Sequence, residues 1–536
     1  MEKDIIDKAI LQKKHISSEE ILNGQSWEQF EEHAKEKKIV LFGVSAVAWS
    51  YFERYGENAR VDILIDNSKK KQGYCLNDYF MTAPEKTEED IVVKDQSVLK
   101  DYNPEELVVL VASTNYYVSI IKQLREMGIQ SCFSILNMEA KVRSECADRD
   151  SNAEKKRKFA IECCEKELVN KKKILFRSFG SFSDHEKYIT LALLGIRPDL
   201  EIVWIVNDLS VEMPEGIRKV SFLNWKQYIY EMETAGMWVL DLEVPSYIQK
   251  RQGQIYVQTK HWASVTLKKF YLDAVTFESV PERIENWKRN GEILDYIIAG
   301  SEFDVNSCKR GFGFDGPFIM AGSPRTDGVF KTEQSKKKVY EHLGIESSVK
   351  TLLYAPTYRF DKKLGKNFHN AIELEMDFLR IKEALEKRFG GEWAFVLRLH
   401  PSVASAWEKA DKQGYVYDAS RYEDSQELVA ACDITVSDFS SIMFEPAFAK
   451  KKVILFVGDL EDYLANEYEL LIDYRTLPFP IAETNDQLEQ CILGFDEDAY
   501  IQKVSDFLEK YGVCEDGHAS ERAAQFISDI IDGKEV

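Results

Sequence analysis

The sequence has no uninterrupted apolar run of about 18 residues, so no helix of this chain is expected to cross a bilayer. The stretch from Met1 to Ile10 mixes acids with apolar residues and offers no signal-peptide core. The nine cysteines include no C-x-x-C pair, and the adjacent Cys163 and Cys164 cannot form a spaced ligand pair. They read as reduced thiols of a cytosolic protein. Positive charge is also short. Lys and Arg number 70 against 91 Asp and Glu, a formal net charge of -21. The overall field therefore repels nucleic acid and anionic membrane alike, and any polyanion must be met by local basic patches.

What is present is a long chain of alternating strand and helix patterns. Its 536 residues suggest three or four units at roughly 150 residues each. Residues 1–36 read as a polar helical segment, with a helix start at Ser17-Ser18-Glu19-Glu20. Residues 37–137 alternate apolar strands (Lys38 to Gly43, Val61 to Ile65, Leu107 to Ala112) with amphipathic helix, the pattern of a small Rossmann-like accessory domain. Its first turn, Gly43-Val44-Ser45-Ala46-Val47-Ala48, keeps only the first glycine of G-x-G-x-x-G. A docking or regulatory role therefore fits better than dinucleotide binding, although Asp66 stands where a ribose-binding acid would.

Residues 138–173 form a charged helical linker with the basic runs Lys155-Lys156-Arg157-Lys158 and Lys171-Lys172-Lys173. Two readings stand for these runs, a solvated helix face or a contact with anionic lipid headgroups. Strand–helix alternation resumes at Ile174, with strands expected at 174–179, 202–206, 237–241, 296–299, 318–321, 351–355, 394–398, 433–436 and 452–456. Helices are expected at 486–511 and 519–532. The fold class is α/β: a GT-B-like pair of Rossmann-like halves, 174–335 and 336–536, behind the accessory domain. Ligands of such folds sit at the carboxyl ends of the strands.

Four strand ends carry arginine, histidine or clustered hydroxyls: Gly322 to Asp327, Pro356-Thr357-Tyr358-Arg359, Arg398-Leu399-His400-Pro401, and Ser437-Asp438-Phe439-Ser440-Ser441. That composition suits phosphate rather than hydride transfer. Ser440 and Ser441 at a helix start offer N–H and O–H donors to an anion, with Glu445 one turn on; simple capping is the competing reading. Arg325, Arg359 and Arg398 could share one anion, since guanidinium matches phosphate geometry. His400 among them is either a satisfied core histidine or part of that site. His261 ends the strand-like Ile255 to Lys260 and precedes Lys268-Lys269, a placement suited to an acceptor site.

Taken together, the motifs resemble the CDP-glycerol glycerophosphotransferase family, the teichoic-acid polymerases and primases. They run in order: Phe176-Arg177-Ser178-Phe179-Gly180 with Ser183-Asp184, Val257 to His261 with Leu267-Lys268-Lys269, Ser301-Glu302-Phe303, Gly322 to Asp327, Tyr354 to Arg359, Leu397 to Pro401, and Ser437 to Ser441. The resemblance implies that His261 is the general base on the acceptor hydroxyl and that His400 contacts the donor phosphates. It implies a donor pocket of Arg325, Pro356, Thr357, Arg359, Arg398, Asp438, Ser440, Ser441 and Glu445. Ser178, Asp184, Lys268 and Lys269 fall on the acceptor side. It implies no metal and no cofactor.

The reaction implied moves glycerol phosphate, or a related polyol phosphate, from CDP-glycerol or CDP-ribitol to a lipid-linked or polymeric cell-wall or capsule acceptor. CMP is released at the inner face of the cell membrane. Two departures stand out. Lys260-His261-Trp262 replaces the usual Trp-His-Gly, and Glu445 replaces the usual aspartate. The alternatives are a GT-B nucleotide-sugar glycosyltransferase and a non-catalytic binding relative.

Overall fold

The computed structural model describes residues 25–80, 90–113, 116–139, 151–275, 280–357, 360–361, 366–367, 376–399, 414–461, 463 and 469–534. The expected helix start at 17–20, Arg359, His400 and Pro401 lie outside these residues.

Three parallel sheets organise the chain. The first has strand order β3-β2-β1-β4-β5, built from β1 (Lys38–Phe42), β2 (Ile63–Ile65), β3 (Val93–Lys94), β4 (Leu107–Val111) and β5 (Cys132–Ser134). All five residues of β4 are buried, because helices cover both faces of a parallel sheet. The second has order β12-β11-β10-β9-β6-β7-β8. Its strands are β6 (Asn170–Arg177), β7 (Glu201–Val206), β8 (Ile217–Ser221), β9 (Ala235–Leu240), β10 (Ile255–Gln258), β11 (Tyr296–Ile298) and β12 (Phe318–Ile319).

After β13 (Lys350–Ala355), the first strand of the third sheet in sequence, comes a two-stranded antiparallel ribbon, β14 (Phe360–Asp361) with β15 (Lys366–Asn367). The third sheet has order β17-β16-β13-β18-β19-β20, with β16 (Trp393–Leu397), β17 (Val416–Asp418), β18 (Ile434–Ser437), β19 (Lys452–Phe456) and β20 (Ile481–Ala482).

The helices that matter below are α1 (Ser151–Lys166), α2 (Asp184–Ile196), α3 (Glu302–Phe312), α4 (Ser425–Ala431), α5 (Phe444–Phe448), α6 (Asn485–Leu493), α7 (Glu497–Lys510) and α8 (Ala519–Ile531). A single helix was expected over 486–511. It is two, with Gly494 capping α6 before α7 begins. No described helix is long and apolar enough to cross a membrane.

The chain divides into two compact units: Met1–Leu175 with Glu201–Gly236 and Ser246–Gly253, and Phe176–Leu200 with Met237–Pro245 and Gln254–Val536. In the first unit, the turn after β1 closes on itself. Gly43 has φ 111, and a Cβ there would meet Ala112 O at 2.5 Å. Asp66 accepts from the N–H of Val44 and of Ser68, each at 2.8 Å, while Lys71 Nζ donates to Val44 O at 2.7 Å. The acid placed like a ribose ligand is thus spent on the chain's own backbone. The small sheet also docks within its unit. Trp49 packs on Trp225 at 5.5 Å between ring centroids, and Tyr74 Oη donates to Leu209 O at 2.7 Å.

In the second unit, the apolar core around β13, β16, β18 and β19 takes in Ala263, Val265 and Leu267, three alternate residues of the segment that follows His261. Burying that row removes roughly 1.5–3 kcal/mol of exposure cost per large side chain. The N–H of Leu471 fixes its far end by donating to Leu267 O at 2.8 Å.

Candidate active site

β10 runs into Thr259-Lys260-His261. Lys260 takes the left-handed region, with φ 57, a conformation that costs a non-glycine residue about 1–3 kcal/mol and that surrounding contacts must hold. Its N–H donates to Gln258 Oε1 at 2.8 Å. Its ammonium, fully buried, lies 3.0 Å from Asp304 Oδ2 and 3.4 Å from Trp262 O. Asp304 comes from the first turn of α3, where Ser301 caps the helix. It also accepts from the N–H of Gly300 at 3.2 Å and the indole of Trp262 at 3.3 Å.

The turn leaves His261 exposed. The surrounding low-dielectric protein nevertheless disfavours the cation and pushes its pKa below the ordinary histidine value. Arg325 and Lys260 act the same way against an opposing pull from Asp184. That direction favours the neutral imidazole, the form that accepts a proton.

Arg325 stands at the centre. From the 3₁₀ turn Pro324–Phe330 after β12, its Nη1 donates to Asp184 Oδ2 at 2.7 Å and to His261 O at 2.8 Å. Its Nη2 lies 2.9 Å from Glu445 Oε1 in α5. Its Nε is buried without a hydrogen-bond partner among the described residues, leaving one donor of the fork unused. One guanidinium thus joins the His261 turn to α2 and α5.

Around it sit further ionisable groups, of which His185, Glu186 and Asp241 escaped sequence reasoning. His185 is fully buried. Its Nε2 lies 3.0 Å from Trp262 O and its Nδ1 3.4 Å from the N–H of Arg325, which fits a neutral ring protonated at Nε2. Burial, with Lys260 and Arg325 adding to it, holds its pKa well below 6.5. Glu186 pairs with the Thr259 hydroxyl, and burial beside Asp241 and Asp184 raises its pKa well above the carboxylate range. Asp241, at the end of β9, accepts from the N–H of Phe179 at 2.9 Å; burial and the neighbouring Asp184 push it up to about 8. Burial pushes Glu445 up to about 7, with Arg325 opposing. Adjacent acids at a helix start, Asp184-His185-Glu186, and an acid pair at a strand end, Asp241-Leu242-Glu243, were the available signal.

On the third sheet, Asp438 is a clamp. Its carboxylate accepts from the Thr357 N–H at 2.9 Å and hydroxyl at 2.5 Å, tying the ends of β13 and β18. Ser440 caps the short 3₁₀ turn Ser441–Met443, with its Oγ accepting from Ile442 N–H at 3.4 Å. Ser441 Oγ reaches Thr266 Oγ1 at 3.2 Å and the N–H of Leu267 at 3.4 Å, on the segment downstream of His261. Arg398 donates to Tyr422 O at 2.6 Å; burial and the nearby Arg325 cation lower its pKa. Pro356 and Thr357 are half-buried at the end of β13.

Of the acceptor-side expectations, Asp184 meets Arg325, and buried Ser178 lies 3.4 Å from Ser183 Oγ. Lys268 lies over the Tyr463 ring at 5.3 Å, and Lys269 pairs with Glu469. Asp327 caps α8, accepting from the N–H of Ala519 at 2.9 Å and of Ser520 at 2.7 Å. Glu515 binds the Ser264 hydroxyl and accepts from the N–H of Ser323 at 3.1 Å, joining the turn after β12 to the His261 segment.

The profile of the family described as CDP-Glycerol:Poly(glycerophosphate) glycerophosphotransferase matches residues 159–529. The teichoic acid poly(glycerol phosphate) polymerase of Bacillus subtilis (strain 168) is 27% identical over 372 residues, covering 67% of this chain and 49% of that protein. The chain thus spans about half the length of that relative. The protein of the same description from Bacillus spizizenii is 26% identical over 372 residues, covering 66% of this chain and 92% of its own length. A solved structure of the wall teichoic acid polymerase TagF aligns with a TM-score of 0.62 at 25% identity, over 71% of this chain and 94% of that one, and its GT-B-like arrangement of parallel sheets is the fold found here. On the profile match across most of its length, the chain belongs to the CDP-Glycerol:Poly(glycerophosphate) glycerophosphotransferase family.

Proposed function

We propose that this chain transfers glycerol phosphate, or a related polyol phosphate, from a CDP-linked donor to a hydroxyl of a teichoic-acid-like or capsule acceptor, releasing CMP. The observation that carries the reading is the Arg325 junction, where a neutral, solvent-accessible histidine, a buried arginine fork and Glu445 meet. The acceptor hydroxyl gives its proton to His261 as its oxygen bonds to the phosphorus bearing the polyol. The bond from that phosphorus to the bridging oxygen breaks, and the electron pair leaves on CMP. A positioned base contributes about 10²–10⁴ in rate. Arg398, the free Nε of Arg325 and the hydroxyls of Ser440 and Ser441 stabilise the charge growing on the phosphate oxygens. Arg359 and His400 join the donor side on the sequence reading alone.

The halves 174–335 and 336–536 supply acceptor and donor sides, and 37–137 is a docking module. Exposed Lys155, Arg157 and Lys158 of α1 give a basic contact for an anionic membrane surface at the inner face. The test is CMP release from CDP-glycerol and from CDP-ribitol, assayed separately with lipid-linked acceptors. Release with either donor supports the reading, and the better donor names the polyol. Release of a nucleoside diphosphate from a nucleotide sugar instead would overturn it.

A further inference from the structure

Lys260 is an unusual residue for its place. It is a fully buried cation in the left-handed region, one residue before the candidate base, at the position singled out in the sequence by its departure from Trp-His-Gly. A lysine is buried only with compensation. Here the compensation is Asp304, also fully buried, whose carboxylate gathers the Lys260 ammonium, the Trp262 indole and the Gly300 N–H. Residues 260 and 262 flank His261, and both are tied to the same carboxylate on α3. Neither tie leaves a group free to touch a substrate.

We propose that the buried Lys260–Asp304 pair is the positioning device for His261, with Lys260 acting on the transfer step through the imidazole and not by contact with donor or acceptor. The inference rests on the reading of His261 as the base. Two consequences follow from the geometry. The ion pair fixes the strained turn, and so the direction in which the ring emerges. The ammonium also stands beside the ring as a cation, disfavouring imidazolium. The charged groups facing this corner are Asp184 and His185 from the start of α2, Asp304 from α3, Arg325 from the turn after β12, and Lys260 itself. Of these, Arg325 and Lys260 oppose protonation of His261, and Asp184 favours it.

The experiment uses the full chain carrying Lys260→Met with Asp304→Asn, which removes both charges together and leaves no orphan ion. Steady-state CMP release should show kcat down about 10–100-fold, the scale of a small misplacement of a catalytic group, with KM for CDP-glycerol within about twofold of the native value. The acid limb of kcat/KM should move to higher pH. In ¹³C-histidine NMR, with His261→Asn for assignment, the His261 titration should move upward in the double variant. Unchanged kcat with an unmoved titration would overturn the proposal. So would an equal loss of donor affinity, which marks a general structural role.

If the double variant does not fold, Lys260→Met alone takes its place, since burial already raises the Asp304 pKa and its carboxyl can hold a proton. A His261 titration moved upward supports the device, and an unmoved one ends it. The NMR readout needs no turnover. A chain in which the substitution moves the His261 titration upward but which never releases CMP removes the proposed function while leaving the pair's effect on His261 in place.

Discussion

Nη2 of Arg325 lies 2.9 Å from Oε1 of Glu445, with both side chains buried and the two residues following strands of different sheets. The same guanidinium holds Asp184 at 2.7 Å. Arg325→Ala would leave two carboxylates uncompensated, so a loss of about 3–5 kcal/mol is expected, read as a lower melting temperature, together with loss of CMP release. Arg325→Lys should rescue neither fully, because an ammonium cannot bridge two carboxylates and a carbonyl in fixed directions.

Glu445 gives a pH-dependent stability test. Its folded carboxyl titrates at about 7 against an ordinary 4.5, so the folded state holds the proton more tightly than the unfolded one. The stabilisation from this group is complete below about 4.5 and is lost as pH rises through 7. Relative to Glu445→Gln, the native protein should therefore lose stability between pH 4.5 and 8, by roughly 3 kcal/mol at most. Melting temperatures of the two proteins across that range should diverge; parallel curves would remove Glu445 as the titrating group.

His261→Ala should cut turnover by about 10²–10⁴ and leave CDP-glycerol binding by calorimetry intact, since the ring is assigned to the acceptor proton and not to the donor. Wild-type turnover in this variant would remove His261 as the base.

The pH profile of the native chain carries its own sign. The base works when neutral, and its pKa lies below the ordinary histidine value because of the surrounding protein, Arg325 and Lys260. The acid limb of kcat/KM should therefore fall below about pH 6.5, so activity persists into mildly acidic buffer. A limb above 7 would contradict this environment.

Asp438→Ala should release the Thr357 N–H that it accepts at 2.9 Å. A hydrogen bond to a charged group contributes about 1.5–3 kcal/mol, so the melting temperature should fall. Donor affinity should fall with it, because Pro356 and Thr357 lose their anchor to β18.

The strands were legible where they are buried on both faces. Val108 to Val111, Leu352 and Leu353, and Val453 to Leu455 read as short apolar runs because parallel sheets expose neither side. β8 was missed because Ile217-Arg218-Lys219 is half solvated, and β3, β17 and β20 because two or three residues carry no period. The split of the expected 486–511 helix at Gly494 lay in a single residue that periodicity overrides.

The sequence by itself determined which residues stand at strand ends, because alternation and turn residues mark where each strand stops. It thereby placed His261, Arg325, Thr357, Arg398 and Asp438 in candidate positions. Only the tertiary structure decided their partners. Arg325 reads as a phosphate ligand in sequence, yet most of its fork is engaged by Asp184, His261 O and Glu445. Asp438 reads as a ligand too, and holds Thr357. Lys268 and Lys269 read as acceptor-side cations, and their contacts are with Tyr463 and Glu469. Spacing fixes position along the backbone, whereas the direction of a side chain and the charge that answers it depend on residues 64 to 200 positions away, brought near only when the chain folds.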